Sequence, residues 1–364
     1  MRCCRRRRAA PEGGRGLDLS AGKYWGMRRM ADAAGRFKMT AVDHRPPIKN
    51  PIREKRGTAE APWEDVAGFK EMLIRELQAE SSAMLLDPHY AYPRGVTMLD
   101  ASRGMILTLE DSIFKETPGG RLSSEIDDWS VEKIKRAGGD AVKVLAWYRP
   151  DADAAVCRAQ QDFTQRIGEA CKRYDIPFVF ELLVYPLASD AAQTRDYIEM
   201  QGKHPEFVVE SVRTFADPRF GVDVFKLESP VPAAQVPGVG EPGWEDAQRW
   251  FDAVGQAAGR PWVMLSAGAG MTEFRRVLTH AYRAGASGYL AGRAIWARAF
   301  THFPDWDAIR DGLRGEAREY MRGLNALTDA EATPWHTHDC YGAGGARVTP
   351  ADATFRKVYP GFGA

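Results

Sequence analysis

Residues 221–230 read "GVDVFKLESP", and the interpretation of this stretch decides the fold. Val222, Val224, Phe225 and Leu227 suit a pleated segment enclosed on both sides, and Lys226 stands among them. A run that is apolar on both faces marks a strand of a parallel sheet covered by other layers, not a sheet face open to water. An ammonium group in such a place is costly unless it is paired or gives up its proton. The stretch predicts a buried parallel strand whose lysine has a chemical purpose.

Seven further stretches share this character. "FKMTAVD" (37–43), "AMLLDP" (83–88), "GMILTLE" (104–110), "AVKVLAWY" (141–148) and "PFVFELLVY" (177–185) precede it, and "WVMLSAG" (262–268) and "GYLAGRA" (288–294) follow. Helical patterns fill most of the intervals. "EDVAGFKEMLIRELQAE" (64–80) sets Val66, Phe69, Leu73, Ile74 and Leu77 on one face at three- and four-residue steps. "SVEKIKRAGG" (130–139) opens on Ser130, a good N-cap, and closes on glycines. Residues 154–175, 243–259 and 272–285 behave likewise, whereas the second and third strands lie too close together for a long helix. Eight alternations predict an α/β protein built as a (β/α)8 TIM barrel. An open doubly wound sheet would carry a glycine-rich turn after its first strand, and "AVDHRPPIKN" is not one.

The 364 residues accommodate such a barrel, typically about 250 residues, with an extension at each end. Residues 1–20 begin "MRCCRRRRAAPEGGRG", a basic head with no apolar stretch behind it; a disordered leader or a misassigned start is expected, with a nucleic-acid-touching arm as the alternative. The barrel is assigned to residues 21–320. Residues 309–330 form a terminal helix, and 321–364 a C-terminal extension punctuated by Gly and Pro. That extension is expected to pack on the barrel or on a partner subunit, which leaves a homo-oligomer open.

Fifty basic residues against forty-nine acidic leave a net charge of +1, so no global field points to nucleic acid or to a membrane surface. No apolar run approaches the roughly 20 residues of a bilayer span. Five cysteines with no C-x-x-C pair suggest reduced thiols and a cytoplasmic location.

Barrel enzymes work at the C-terminal ends of their strands. Those ends and the inward positions hold Asp43 and Arg45 (first strand), Lys143 (fourth), Glu181 (fifth), Lys226 (sixth), Ser266 (seventh) and Arg293 (eighth). Neighbouring strands are about 4.8 Å apart, so Lys143, Glu181 and Lys226 can converge. A lysine beside a second ammonium and a dry wall loses affinity for its proton, and the free amine attacks carbonyls to form Schiff bases. Glu181 could then carry protons between intermediates. The plainer reading is an ion pair filling the barrel, with Glu228 a second candidate partner for Lys226. "LSAGAG" (265–270) and "AGRAIW" (291–296) are small-residue turns where this fold often holds phosphate, and Arg293 adds a cationic fork. Among the seven histidines, His44 and His89 sit near strand ends and are expected to line the site. "HTHDC" (336–340) could offer metal ligands but lies in the tail, where a surface loop is the preferred account. No metal or other cofactor is expected.

Taken together, "FKMTAVDHR", "LLDP", "WSVEKIKRAGGDAVKVLAWY", "IPFVFELLVY", "FADPRFGVDVFKLESPV", "LSAGAGMTEF" and "GASGYLAGRAIW" resemble the class I tagatose 1,6-bisphosphate aldolases, the lactose-pathway type within the deoxyribose-phosphate-aldolase-like superfamily. The resemblance runs colinearly over about residues 22 to 310. It implies a metal-independent barrel that cleaves a phosphorylated ketose, a ketohexose 1,6-bisphosphate, into dihydroxyacetone phosphate and glyceraldehyde 3-phosphate. It also implies Lys226 as the Schiff-base lysine, Glu181 as proton shuttle and Lys143 as the cation that lowers the nucleophile's pKa. Asp43, His44 and Arg45 would contact substrate, and Ser266, Ala291, Gly292 and Arg293 would hold a phosphate. His44 stands where the family usually has glutamine, and "PPIKN" replaces a glycine-containing continuation. An aldolase for a sulfofructose phosphate and a non-catalytic sugar-phosphate sensor are the alternatives carried forward.

Overall fold

The computed structural model describes residues 16–187, 190, 200 and 202–362. Eight strands, β1 (Phe37–Ala41), β2 (Ala83–Leu86), β3 (Gly104–Thr108), β4 (Ala141–Trp147), β5 (Phe178–Leu183), β6 (Val224–Leu227), β7 (Trp262–Met264) and β8 (Gly288–Ala291), close into one barrel. Every neighbouring pair is parallel and sequential, and β1 pairs with β8 to complete the ring. All eight expected strands are present. The link from β2 to β3 holds only the short helix Tyr92–Gly95, as its length requires. An antiparallel hairpin, Lys115–Thr117 with Gly120–Leu122, interrupts the link from β3 to β4.

The two-sided burial follows from the alternation of the pleat. Outward residues such as Phe178, Phe180, Phe225 and Tyr289 meet the helices in one apolar layer. Inward residues Met39, Leu85, Ile106, Ala141, Val179, Val224, Val263 and Leu290 fill the lower half of the barrel. Met27 and Met30 of the helix Ala21–Met30, together with Trp335 and Tyr341 from the tail, join that inner cluster and close its underside. Higher up the barrel the inward positions become charged.

The two ends of the chain meet below the barrel. Leu19 pairs in parallel with Val348, and the Leu17 amide donates to the Cys340 carbonyl at 2.7 Å. Residues 16–20, assigned above to the leader, are thus stitched to the tail, because Leu19 has an apolar cluster to enter; residues 1–15 lie outside the described residues. The helix Arg318–Glu331 runs through the boundary drawn at residue 320, and the tail then returns to the barrel through Thr333 N–H to Ala286 O (3.0 Å) and Trp335 N–H to Gly35 O (2.8 Å). Among the described residues no helix is long and apolar enough to cross a membrane.

Candidate active site

Lys143, Glu181 and Lys226 all point inward, and the strand register brings them level. Glu181 and Lys226 are direct partners across β5 and β6, while Lys143 pairs with Val179 one inward step below. Apolar side chains lie beneath them, and Leu145, Trp147, Leu183, Tyr185 and Leu265 form a second apolar group toward the mouth. The three are 3 %, 6 % and 4 % exposed. Charges so desolvated persist only when paired. One oxygen, Glu181 Oε2, lies 2.8 Å from both Lys143 Nζ and Lys226 Nζ. Convergence across three successive strands is therefore real.

Lys143 has two more anionic partners, Glu110 Oε1 at 2.6 Å and Asp43 Oδ2 at 3.0 Å. Burial opposes its charge, but Asp43, Glu110 and Glu181 outweigh that and raise its proton affinity well above the usual lysine range. Burial likewise works against the Asp43 carboxylate, and the ammoniums of Lys143 and Lys226 overcome it, holding that carboxyl far below its ordinary range. The two are a locked pair.

β1 ends at Ala41, and the turn that follows carries Asp43, His44 and Arg45 into the helix Pro46–Arg56, whose first-turn proline suits a helix start. The His44 ring packs edge-on to Trp296 at 5.3 Å and fills the space that a side chain at Gly292 would need, since a Cβ there would lie 2.4 Å from its Cε1. Burial first, then the nearby Arg293 and Lys226 charges, hold its pKa well below the ordinary histidine value despite Asp43. Among the described residues the His44 Nδ1 has no hydrogen-bond partner.

Two cavities meet at Lys226, Glu181 and His44, which line both. One runs toward Ser266, Gly292 and Arg293. Arg293 opens the helix Arg293–Phe300, and its guanidinium lies 3.3 Å from where a Cβ on Gly268 would stand. Ala267 beside it adopts φ +44, a left-handed backbone costly for alanine and of the kind that collects at binding loops. The other cavity holds Asp43, Arg45, Glu110, Ser112 and Lys143, and a wider bay continues past Arg45 and Ser112 to Lys49, Arg53 and His89. Arg45 is 5 % exposed; its Nη2 donates to Glu110 O at 3.0 Å, while Nε and Nη1 find no acceptor among the described residues. The result is an elongated cleft with an amine at its centre and a guanidinium on either side, suited to a short molecule anionic at both ends.

Not every expected residue lines the cleft. The Ala291 side chain packs in the outer layer against the helices, because alternation turns Leu290 inward instead. Glu228 does line the first cavity, and it accepts from the Val184 amide (2.7 Å) and from Lys203 (2.9 Å). "HTHDC" lies under the barrel, where His338 Nε2 bonds to Ser287 Oγ at 2.9 Å. The sequence reading missed Glu110, whose other oxygen accepts from the Thr108 hydroxyl at 2.6 Å. Its signal was present in "TLE", a carboxylate two positions beyond an inward threonine at a strand's C-terminal end.

The fold class is that of the (β/α)8 barrels. A Plasmodium falciparum fructose-bisphosphate aldolase superposes with a TM-score of 0.63 at 12% identity, covering 88% of this chain and 98% of that one. An archaeal fructose 1,6-bisphosphate aldolase gives 0.54 at 18% identity, covering 84% and 98%. The family follows from sequence. The model of the DeoC/LacD family aldolases matches residues 37–298. A tagatose 1,6-diphosphate aldolase of Listeria monocytogenes is 33% identical over 329 residues, 88% of this chain and 96% of its own, and tagatose 1,6-diphosphate aldolase 2 of Enterococcus faecalis is 34% identical over 328 residues, 88% and 97%. The chain belongs to the DeoC/LacD family of aldolases and is a lyase.

Proposed function

We propose that the protein is a class I aldolase that cleaves a ketohexose 1,6-bisphosphate, tagatose 1,6-bisphosphate first among them, into dihydroxyacetone phosphate and glyceraldehyde 3-phosphate. The observation that carries this reading is Lys226 Nζ, 2.8 Å from Glu181 Oε2 at the point where the two cavities meet. The names of the relatives, tagatose 1,6-diphosphate aldolases, support the choice of sugar.

Lys226 passes a proton to Glu181, and its lone pair attacks the C2 ketone to give a carbinolamine. Glu181 returns that proton to the departing hydroxyl, water leaves, and a protonated Schiff base remains. The iminium draws in the electrons of the C3–C4 bond as Glu181 takes the C4 hydroxyl proton, and the aldehyde half departs. Protonation of the enamine at C3 and hydrolysis release the ketone half and restore Lys226. Lys143 stays an ammonium throughout and meets a substrate hydroxyl. Ser266, Gly292 and Arg293 hold one phosphate, and Arg45, beside Asp43 and His44, faces the other.

Borohydride reduction with dihydroxyacetone phosphate present tests the reading. A single secondary-amine adduct is expected on Lys226, located by peptide mass spectrometry, and Lys226→Ala should lose roughly a thousandfold or more in turnover. Adduct on any other residue of the native protein refutes the assignment. Guanidiniums do not separate phosphate from sulfonate, so release of triose phosphate from a panel including sulfofructose phosphate decides the substrate.

A further inference from the structure

We infer that Glu110 is a positioning residue that decides which of the two lysines becomes the nucleophile, by holding Lys143 in its ammonium form. The inference rests on the Schiff-base reading above. Distance to the proton shuttle does not distinguish the lysines, since both nitrogens lie 2.8 Å from Glu181 Oε2. Their remaining contacts do. An ammonium has three N–H groups, and Lys143 faces three carboxylates, Glu110 at 2.6 Å, Glu181 at 2.8 Å and Asp43 at 3.0 Å. Among the described residues Lys226 has only Glu181 as an ion-pair partner.

The three carboxylates around Lys143 differ in freedom. Glu181 also serves Lys226 and must exchange protons, and Asp43 is reserved for substrate in the reading above. Glu110 has neither duty. It is 1 % exposed, its second oxygen is bonded to Thr108 Oγ at 2.6 Å, and its backbone carbonyl accepts from Arg45 Nη2 at 3.0 Å. It is the anchor that persists when the other two re-pair. Removing the proton from Lys143 would leave this carboxylate buried without its ammonium partner, and among the described residues the nearest remaining cation is Arg45 Nη2 at 3.9 Å. Without Glu110, Lys143 could present a lone pair to the same ketone. The amine would condense with the carbonyl, lose water and yield an imine on Lys143 in place of Lys226. Glu110 blocks that side reaction.

The test is borohydride trapping with dihydroxyacetone phosphate on the full chain. Glu110→Gln keeps shape and removes the charge, and the share of adduct on Lys143 should rise at least roughly tenfold, the change in free amine per unit of proton affinity lost. Lys226→Met should trap nothing, whereas Lys226→Met combined with Glu110→Gln should acquire label on Lys143. Thr108→Val, which only loosens Glu110, should give an intermediate share and carries the test should Glu110→Gln fail to fold. Folded variants that label Lys226 alone, with an unlabelled double variant, overturn the inference while leaving the Schiff-base reading intact. Native protein that takes no label on Lys226 sinks that reading and this inference together.

Discussion

Glu181 offers one oxygen to two lysine nitrogens, and in the proposed mechanism this sharing is what lets it exchange a proton. A carboxylate fully committed to one lysine would be a structural ion pair; one divided between two can release either partner and take up a proton. The cations farther out have a simpler task. Arg293→Ala removes charge-assisted bonds worth about 2–3 kcal/mol, so KM for a phosphorylated substrate should rise roughly 30- to 150-fold, with kcat changed far less, in steady-state kinetics. A matching loss in kcat would mean that Arg293 acts in the chemical step. The charged triplet was legible in the sequence because Lys143, Glu181 and Lys226 break apolar runs at inward positions. Glu110 was not, because a glutamate just past a strand is also an ordinary solvent-facing residue. The direction of the Ala291 side chain was not legible, since the strand's parity, which turns it toward the helices, shows only in the fold.

At the scale of elements, the eight strands and the longer helices could be read because burial on both faces and a 3.6-residue period leave clear marks. The hairpin 115–122 could not, since its strands are three residues each and "KETPGGRL" shows only a turn. The helix Pro46–Arg56 escaped because Pro51 lies inside it, a residue that ordinarily argues against a helix interior. The seam that closes the barrel includes one contact that only glycine permits. At the start of β8, a Cβ on Gly288 would stand 1.9 Å from the Phe37 carbonyl oxygen of β1, so the two strands pair at this register only without a side chain. Gly288→Ala should cost about 3 kcal/mol and lower the melting temperature by several degrees in calorimetry. An unchanged melting temperature would show that the seam has slack.

For the molecule as a whole, the tail is part of the barrel's floor, and one histidine there titrates against it. Burial pushes His338, bonded to Ser287, down to about 4, with Asp339 opposing. Unfolded, the same imidazole takes up its proton near the ordinary 6.5. Stability linked to His338 is thus fully present above about pH 6.5 and is lost as pH falls toward 4, by up to about 3 kcal/mol. Chemical denaturation across that range should show the slope in the native protein and a shallower one in His338→Gln; equal slopes would exclude the linkage. Length and composition allowed an extension at residue 321 but could not say what it covers, because Trp335 and Tyr341 find their partners only in strands some distance back along the chain. This placement has a consequence for synthesis. A ribosome makes the helix Ala21–Met30 and the eight strands before Trp335 and Tyr341, so a nascent barrel has only half of its floor until the tail follows. A chain cut before Trp335 would keep the mouth of the barrel but leave its underside covered only in part, by the helix Ala21–Met30.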